Sequence, residues 1–201
     1  MMSQNQILSR YARRLAGVLA CAIGISAATV QGIAQELGNE LRPGGSAVVR
    51  GIVDGDTVSL GEAISGATEI RLVGIQAPKL PLGRRGFQKW PLADAAKAFL
   101  GRLVRDQRVR LSHGGRRMDR HGRLLAHLHK EDGIWVQGAL LAAGLARVYS
   151  FDDNRARVAE MLELEGQARA AQRGMWALDL YRILGPEESG RHINRFQIVE
   201  G

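Results

Sequence analysis

Two carboxylates and two arginines are the side chains of this sequence that are best placed to do chemistry. The turn Asp54-Gly55-Asp56 puts two carboxylates close together, and carboxylate oxygens are the ligands that a hard divalent cation prefers. Asp and Gly also fill hairpin turns for backbone reasons, so this motif alone leaves a simple turn open. Arg71 and Arg123 are candidates for a phosphate site, because two guanidinium groups that meet at one point bind phosphate through paired, charged hydrogen bonds.

His127 and His129 have the spacing of two metal ligands on one face of a strand. Leu124, Ala126 and Leu128 form the apolar face of the same strand, so we expect both histidines to point to solvent. With no third ligand evident in the sequence, we interpret them as surface residues rather than as a zinc site.

Hydrophobic periodicity and turn residues predict the elements that must position these groups. Strands are predicted over 47–53, 57–60, 68–75, 108–113 and 124–129, and helices over 91–103, 135–143 and 158–168. Asp152-Asp153-Asn154 offers a cap for the last helix. The strands come first and the helices are interspersed without regular alternation, which indicates an α+β fold with a small closed β-barrel.

The composition of the 201 residues excludes several classes of protein. With 45% hydrophobic residues, 24% charged residues and one cysteine, the chain is not wholly disordered, collagen-like or stapled by disulfides. Residues 1–34 have three arginines and no other charge, then an apolar run and small residues, as a signal peptide does. We predict cleavage near Ala34 and export to the periplasm or the medium. An uncleaved anchor and a lipid on Cys21 stay open as alternatives.

Beyond the leader we expect a flexible lead-in over 35–46, one domain over 47–177 and a frayed tail over 178–201. The leader carries three of the 28 basic and none of the 20 acidic residues, so its removal lowers the net charge from +8 to +5. The mature chain has no cysteine, which excludes a thiolate metal site. A moderately basic, exported domain favours DNA or RNA as its partner. We expect a monomer with no stable membrane association after cleavage.

Four blocks of the sequence resemble the thermonuclease (staphylococcal nuclease) family in their order and spacing. They are Val53-Asp54-Gly55-Asp56-Thr57, Arg71-Leu72 with Ala77-Pro78, Asp119-Arg120-His121-Gly122-Arg123 and Gly144-Leu145-Ala146-Arg147-Val148. The resemblance spans about Val48 to Trp176. It implies an OB-fold, a five-stranded barrel with three helices, and calcium-dependent hydrolysis of DNA and RNA phosphodiesters.

The resemblance also implies roles for individual residues. Asp56 corresponds to a calcium-binding aspartate, and Gln76 and the Ala77 carbonyl fall at further positions of the calcium site. Arg71 and Arg123 correspond to the arginines that stabilise the pentacovalent phosphorus. The expected substrate-binding residues are the phosphate contacts of the third block, an aromatic near the nucleotide and the cations of a loop over 78–91 that has no acidic residue: Arg120, His121, Tyr149, Lys79, Arg84 and Arg85.

Two departures from the family pattern leave the activity open. Gln76 stands where the family has a second calcium-binding aspartate, and Lys79 stands where it has the base glutamate. The lost negative charge weakens a calcium site, and a protonated lysine cannot accept a proton. Glu62 or Glu69 could supply a replacement base, or a metal ion could activate its own bound water. The sequence therefore leaves open a nuclease, a nucleic-acid-binding module without catalysis and an envelope protein with another partner.

Overall fold

The structure is a computed structural model that describes residues 40–192 and 196–199. The leader predicted over 1–34, its cleavage near Ala34 and residues 35–39 lie outside this part of the chain. The strands are β1 (Arg42–Asp54), β2 (Thr57–Ile64), β3 (Ala67–Leu72), β4 (Ile75–Gln76), β5 (Arg108–His113), β6 (Leu124–Lys130), β7 (Arg147–Val148), β8 (Ile183–Leu184) and β9 (Ile198–Val199). The helices are α1 (Ala93–Val104), α2 (Val136–Ala142), α3 (Val158–Ala170) and the short α4 (Pro186–Ser189), with 3-10 turns at Gly174–Ala177, Asp179–Tyr181 and Gly190–His192.

Five strands close into a barrel in the order β1-β2-β3-β6-β5, and β5 pairs back onto β1. The β3–β6 pair is parallel, whereas the other pairs of the barrel are antiparallel. Alternate residues point inward, and among them Val49, Val58, Ile70, Val109 and Leu128 are fully buried. The predicted α+β class and OB-type barrel are therefore confirmed.

The first three helices cover the barrel at the places where the sequence predicts helices. In α1, Ala96, Leu100 and Val104 recur every fourth residue and are fully buried, and the helix packs against β1. Helix α2 packs against β6 and α3. Helix α3 begins after Arg157, whose left-handed backbone precedes the first turn without a side-chain cap, so the predicted capping role of Asp152-Asp153-Asn154 is wrong. The Asn154 amide instead donates to the Arg116 carbonyl at 2.8 Å.

Strand β1 begins at Arg42, inside the segment that the sequence predicts to be a flexible lead-in. Arg42 pairs with His113 and Pro43 with Ser112, and a bulge between Pro43 and Ser46 accommodates the two glycines. A Cβ atom built on Gly44 would clash with the His113 Nε2 atom, so a larger residue there would displace the ring. Proline and glycine therefore mark an irregular strand here rather than a loop, because the bulge tolerates both residues.

The sequence predicts one strand over 68–75, whereas the structure has two short ones. Strand β3 ends at Leu72, and Ile75 and Gln76 form β4, which pairs with β7 rather than with the barrel. Gly74 has a φ of +82°, which turns the chain between them. The turn brings Gln76 opposite Arg147, which decides what Gln76 contacts.

His127 is buried, and the expectation that both histidines of β6 point to solvent is wrong for this residue. Its exposed fraction is 1%, because the ring of Trp135 lies 5.8 Å from its own ring and covers that side of the strand. Burial, with the nearby charge of Arg157, lowers the pKa of His127 to about 3. Among the described residues its Nδ1 atom has no hydrogen-bond partner.

The C-terminal segment is packed, in contrast to the frayed tail that the sequence suggests. The Phe196 ring lies 4.1 Å from the Trp90 ring, and the Tyr181 hydroxyl donates to the Pro91 carbonyl at 2.8 Å. Strand β9 pairs with β8 in parallel. These contacts hold the end of the loop over 78–91. Across the described ranges, 40–192 and 196–199, no helix has the length and apolar character needed to cross a membrane.

The buried His127 predicts a loss of stability in acid. Its pKa is about 3 in the folded chain against about 6.5 unfolded, so the unfolded state binds more protons between these values. The contribution of the neutral His127 to the free energy of unfolding is fully present above pH 6.5. It falls as the pH drops toward 3, by up to about 1.4 kcal/mol per pH unit. His127→Leu should flatten this part of the curve in urea unfolding from pH 7 to 4, since leucine has no proton to gain. The same change at the exposed His121 should leave the slope unchanged, and parallel curves for wild type and His127→Leu would contradict the assignment.

Candidate functional site

The hairpin turn between β1 and β2 carries the two carboxylates into the protein. The absence of a side chain at Gly55 lets the turn enter the protein. A Cβ atom built there would clash, since it would lie 2.6 Å from the Ala77 Cβ and 2.7 Å from the Ala96 Cβ. The turn is therefore packed against the segment after β4 and against α1. Asp54 is 5% exposed and Asp56 is fully buried, so both carboxylates depend on partners within the protein.

Asp56 is surrounded by donors. Its Oδ2 atom accepts from the Ala77 N–H at 2.7 Å and from Lys79 Nζ at 2.8 Å, and it lies 3.3 Å from an Arg71 nitrogen. Its Oδ1 atom accepts from the Thr57 hydroxyl at 3.2 Å and from Lys79 Nζ at 3.1 Å. A carboxylate has about four lone-pair positions, so these contacts use its capacity in full.

The pKa values of the two carboxylates are shifted in opposite directions. Asp54 accepts from the Asp56 N–H at 3.0 Å and lies 3.6 Å from Lys79 Nζ. Burial and the neighbouring charge of Asp56 raise the pKa of Asp54. Burial acts in the same direction on Asp56, but the charges of Arg71 and Lys79 outweigh it and hold the pKa of Asp56 below its ordinary value. Asp56 is thus the carboxylate whose ionised form the surrounding cations stabilise more strongly.

The two side chains expected to hold calcium, those of Asp56 and Gln76, already have partners within the protein. The Gln76 Oε1 atom accepts from Arg147 Nε at 3.1 Å and from an Arg147 terminal nitrogen at 2.7 Å. The Ala77 N–H donates to Asp56, a contact that does not involve the Ala77 carbonyl predicted to bind calcium. Lys79 lies at the carboxylates rather than on a phosphate-binding surface. Within residues 40–192 and 196–199, no three His, Cys, Asp or Glu residues are grouped so as to hold a metal ion. The residues present do not fit a calcium ion in this arrangement.

The two candidate phosphate-binding arginines are held by the protein itself. Arg71 donates to the carbonyls of Leu72 and Ile75, both at 2.7 Å, and to that of Asp56 at 3.3 Å. Arg123 binds Asp119 Oδ2 through Nε at 2.8 Å and a terminal nitrogen at 2.7 Å. Asp119 Oδ1 accepts the backbone N–H groups of residues 121 and 123, so one carboxylate fixes both the turn and its arginine. Both guanidinium groups are thus positioned before any ligand binds.

Arg71 and Arg123 line the same cavity, which has a volume of about 740 Å³. Three of the other predicted substrate-binding residues line it as well, namely Arg120, His121 and Tyr149. Tyr149 and Phe151 are 38% and 59% exposed, and their rings meet edge to face at 5.0 Å. The sequence reasoning missed Arg116, which also lines the cavity. It lies just before the third block, and only the fold brings it to this wall.

The cations of the loop over 78–91 are not among the described residues that line this cavity. Arg84 donates to the carbonyls of Leu80 and Pro81 and lies 3.8 Å above the Phe87 ring. Arg85 is exposed on the same loop. The loop folds on itself, because the Arg84 guanidinium group donates to backbone carbonyls of the same loop.

The candidate replacement bases do not line the cavity either. Glu62 is exposed on β2, and Glu69 pairs across from Ser59 on β3. The carboxylates that line the cavity are Asp119, Asp152 and Asp153. Each has a cationic partner, since Asp119 binds Arg123, Asp152 lies 3.5 Å from Arg155, and Asp153 lies 3.7 Å from Arg116.

We expect a measurable interaction free energy between the side chains of Asp119 and Arg123. Asp119→Ala removes the acceptor of three hydrogen bonds and one partner of an ion pair, and should lower the free energy of unfolding by about 1–3 kcal/mol. In a double-mutant cycle with Arg123→Ala, urea unfolding should give a coupling of about 1 kcal/mol. The exposed pair of Lys89 and Asp94 is the matched control and should give less than about 0.5 kcal/mol. Equal coupling in the two pairs would show that Asp119 does not hold Arg123 in place.

Comparisons with known proteins agree with this architecture. The profile of a family described as staphylococcal nuclease homologue matches residues 69–178. An uncharacterized endonuclease of Escherichia coli O157:H7 is 34% identical over 130 residues, which cover 65% of this chain and 75% of that protein. The thermonuclease of Staphylococcus intermedius is 28% identical over 134 residues, which cover 66% and 77%. Endonuclease YhcR of Bacillus subtilis (strain 168) is 27% identical over 135 residues, which cover 64% of this chain and 11% of that protein. With its barrel, its paired arginines and these matches, the chain belongs to the staphylococcal nuclease family.

Proposed function

We propose that this domain binds nucleic acid and that the cavity between Arg71, Arg123 and Tyr149 holds a phosphodiester together with an adjoining base. The observation that carries the proposal is that two prepositioned guanidinium groups and two exposed aromatic rings line one cavity. Guanidinium groups bind phosphate oxygens in pairs, and exposed aromatic rings stack on bases. The names of the similar proteins, endonuclease and thermonuclease, support a nucleic-acid ligand.

The charges of the cavity favour this ligand. Its lining has four arginines against three aspartates, and the mature chain is expected to carry a net charge of +5. Stacking on Tyr149 and Phe151 requires a base that is not paired in a duplex. We therefore favour single-stranded DNA or RNA over a duplex. The signal-peptide pattern of residues 1–34 supports a site of action outside the cytoplasm.

Hydrolysis of the bound phosphodiester is the second candidate function. It is favoured by the placement of Arg71 and Arg123 on one cavity, because two guanidinium groups there would stabilise the charge of a pentacovalent phosphorus. The calcium-dependent route is disfavoured, since Lys79 lies at the carboxylates and Gln76 is bound to Arg147. Each carboxylate of the cavity has a cationic partner, which also disfavours a strong general base. Binding without calcium-dependent cleavage is therefore the function that we favour.

Arg123→Ala should weaken binding of a labelled single-stranded oligonucleotide at least about tenfold, because a charged, desolvated phosphate contact is lost. Fluorescence anisotropy over a series of salt concentrations measures the affinity, and the variant should also show a shallower salt dependence. Arg102→Ala is the matched control, since it removes the same charge from an exposed residue of α1 outside the cavity. Its affinity should change less than about twofold. Equal losses in the two variants would place binding elsewhere on the surface.

The same oligonucleotide, incubated with calcium or with EDTA, distinguishes the two functions. We expect it to stay intact under both conditions. Cleavage that needs calcium and is lost in Arg123→Ala would instead establish hydrolysis at this cavity.

A further inference from the structure

We infer that Lys79 is a cation built into the fold, whose ammonium group takes the place of a divalent metal ion at Asp54 and Asp56. The inference concerns the binding of ions by the free protein. It is tested without nucleic acid: of the charged cluster around Asp56, Arg71 lines the cavity, whereas Lys79 and Asp56 do not.

The geometry of the ammonium group resembles that of a bound cation. Lys79 Nζ lies 2.8 Å from Oδ2 and 3.1 Å from Oδ1 of Asp56, so it contacts both oxygens of one carboxylate. It also lies 3.6 Å from Oδ2 of Asp54. One positive centre therefore lies between two buried carboxylates, which is where an ion bound by this turn would have to lie.

The charges of the cluster already balance. Two carboxylates, Asp54 and Asp56, face two cations, Arg71 and Lys79, and none of the four side chains is more than 19% exposed. Buried charges are tolerated when they are paired and hydrogen-bonded. A divalent ion added to this cluster would leave an excess of two positive charges and would have to displace donors from Asp56.

The loop around Lys79 keeps the ammonium group in place. The Ala77 N–H donates to Asp56, and the Lys79 carbonyl accepts from the Trp90 N–H at 3.0 Å. The Trp90 ring is in turn covered by Phe196 at 4.1 Å. The backbone is thus fixed on both sides of Lys79, and the side chain need lose little further freedom in order to reach the carboxylates.

The neighbouring Gln76 supports the same conclusion by an independent contact. Its amide oxygen accepts two hydrogen bonds from Arg147, a residue 71 positions away. A metal ion would have to compete with a guanidinium group for this oxygen. The two positions at which this chain departs from the family pattern are therefore both engaged with partners inside the protein.

Calcium binding by the purified protein tests the inference without nucleic acid. Isothermal titration of the wild type with CaCl2 should give no saturable binding, and its Tm should be the same in CaCl2 and in EDTA. Lys79→Met removes the charge but keeps the length of the side chain, and should lower the Tm in EDTA by at least about 5 °C. CaCl2 should restore at least about half of that loss, since the freed carboxylates can then bind the ion.

Lys89→Met is the matched control, because it removes a lysine of the same loop that pairs with Asp94 on the surface. Its Tm should be unchanged, with or without calcium. Saturable calcium binding by the wild type would overturn the inference, and this measurement holds even if Lys79→Met does not fold. A folded Lys79→Met protein whose Tm is insensitive to calcium would overturn it too. Because oligonucleotide is absent from every sample, failure here would leave nucleic-acid binding at the cavity to be judged by its own assay.

Discussion

The buried ion pair between Asp56 and Lys79 is the interaction on which the rest of the site depends. Asp56 comes from the β1–β2 turn, Lys79 from the segment after β4, and Arg71 from β3, so one carboxylate joins three parts of the chain. A buried carboxylate without partners would be strongly unfavourable, and removal of one partner from such a pair costs about 3–5 kcal/mol. The turn can therefore lie against Ala77 and Ala96 only because Lys79 and Arg71 supply the compensating charge.

The same carboxylate links the Asp54–Asp56–Lys79 cluster to the cavity that we propose to bind phosphate. Arg71 lines the cavity, yet one of its nitrogens lies 3.3 Å from Asp56. Because Lys79 neutralises part of the charge of Asp56, less of that charge remains to offset the charge of Arg71. The guanidinium group, held by three backbone carbonyls, keeps its position whether or not a metal ion is present. The proposed binding of phosphate at Arg71 therefore does not require an added cation to position the guanidinium group.

The sequence predicts features that depend on neighbouring residues, and it fails for those that depend on distant ones. Apolar and polar residues alternate along β5, and apolar residues recur every four positions in α1. Both patterns are local, and both elements are found where the periodicity places them. The partner of Lys79 is 23 residues away and that of Gln76 is 71 residues away, so no spacing rule assigns them. His127 belongs to a strand with an apolar face, but Trp135 also covers the other face. The packing of Phe196 on Trp90 is equally a product of the whole fold.

These contacts explain how positions 76 and 79 can depart from the family pattern while Arg71 and Arg123 keep their places. Arg123 is fixed by Asp119 four residues earlier, and Arg71 by carbonyls at most fifteen residues away, so neither depends on Gln76. Gln76 contacts Arg147, and Lys79 shares Asp56 with Arg71 without contributing to the backbone carbonyls that hold Arg71. A glutamate at position 79 would add a third carboxylate beside Asp54 and Asp56, and only a bound cation could then balance the cluster. A lysine carries that balancing charge on the chain itself, and the barrel, the turn and the two arginines keep their places.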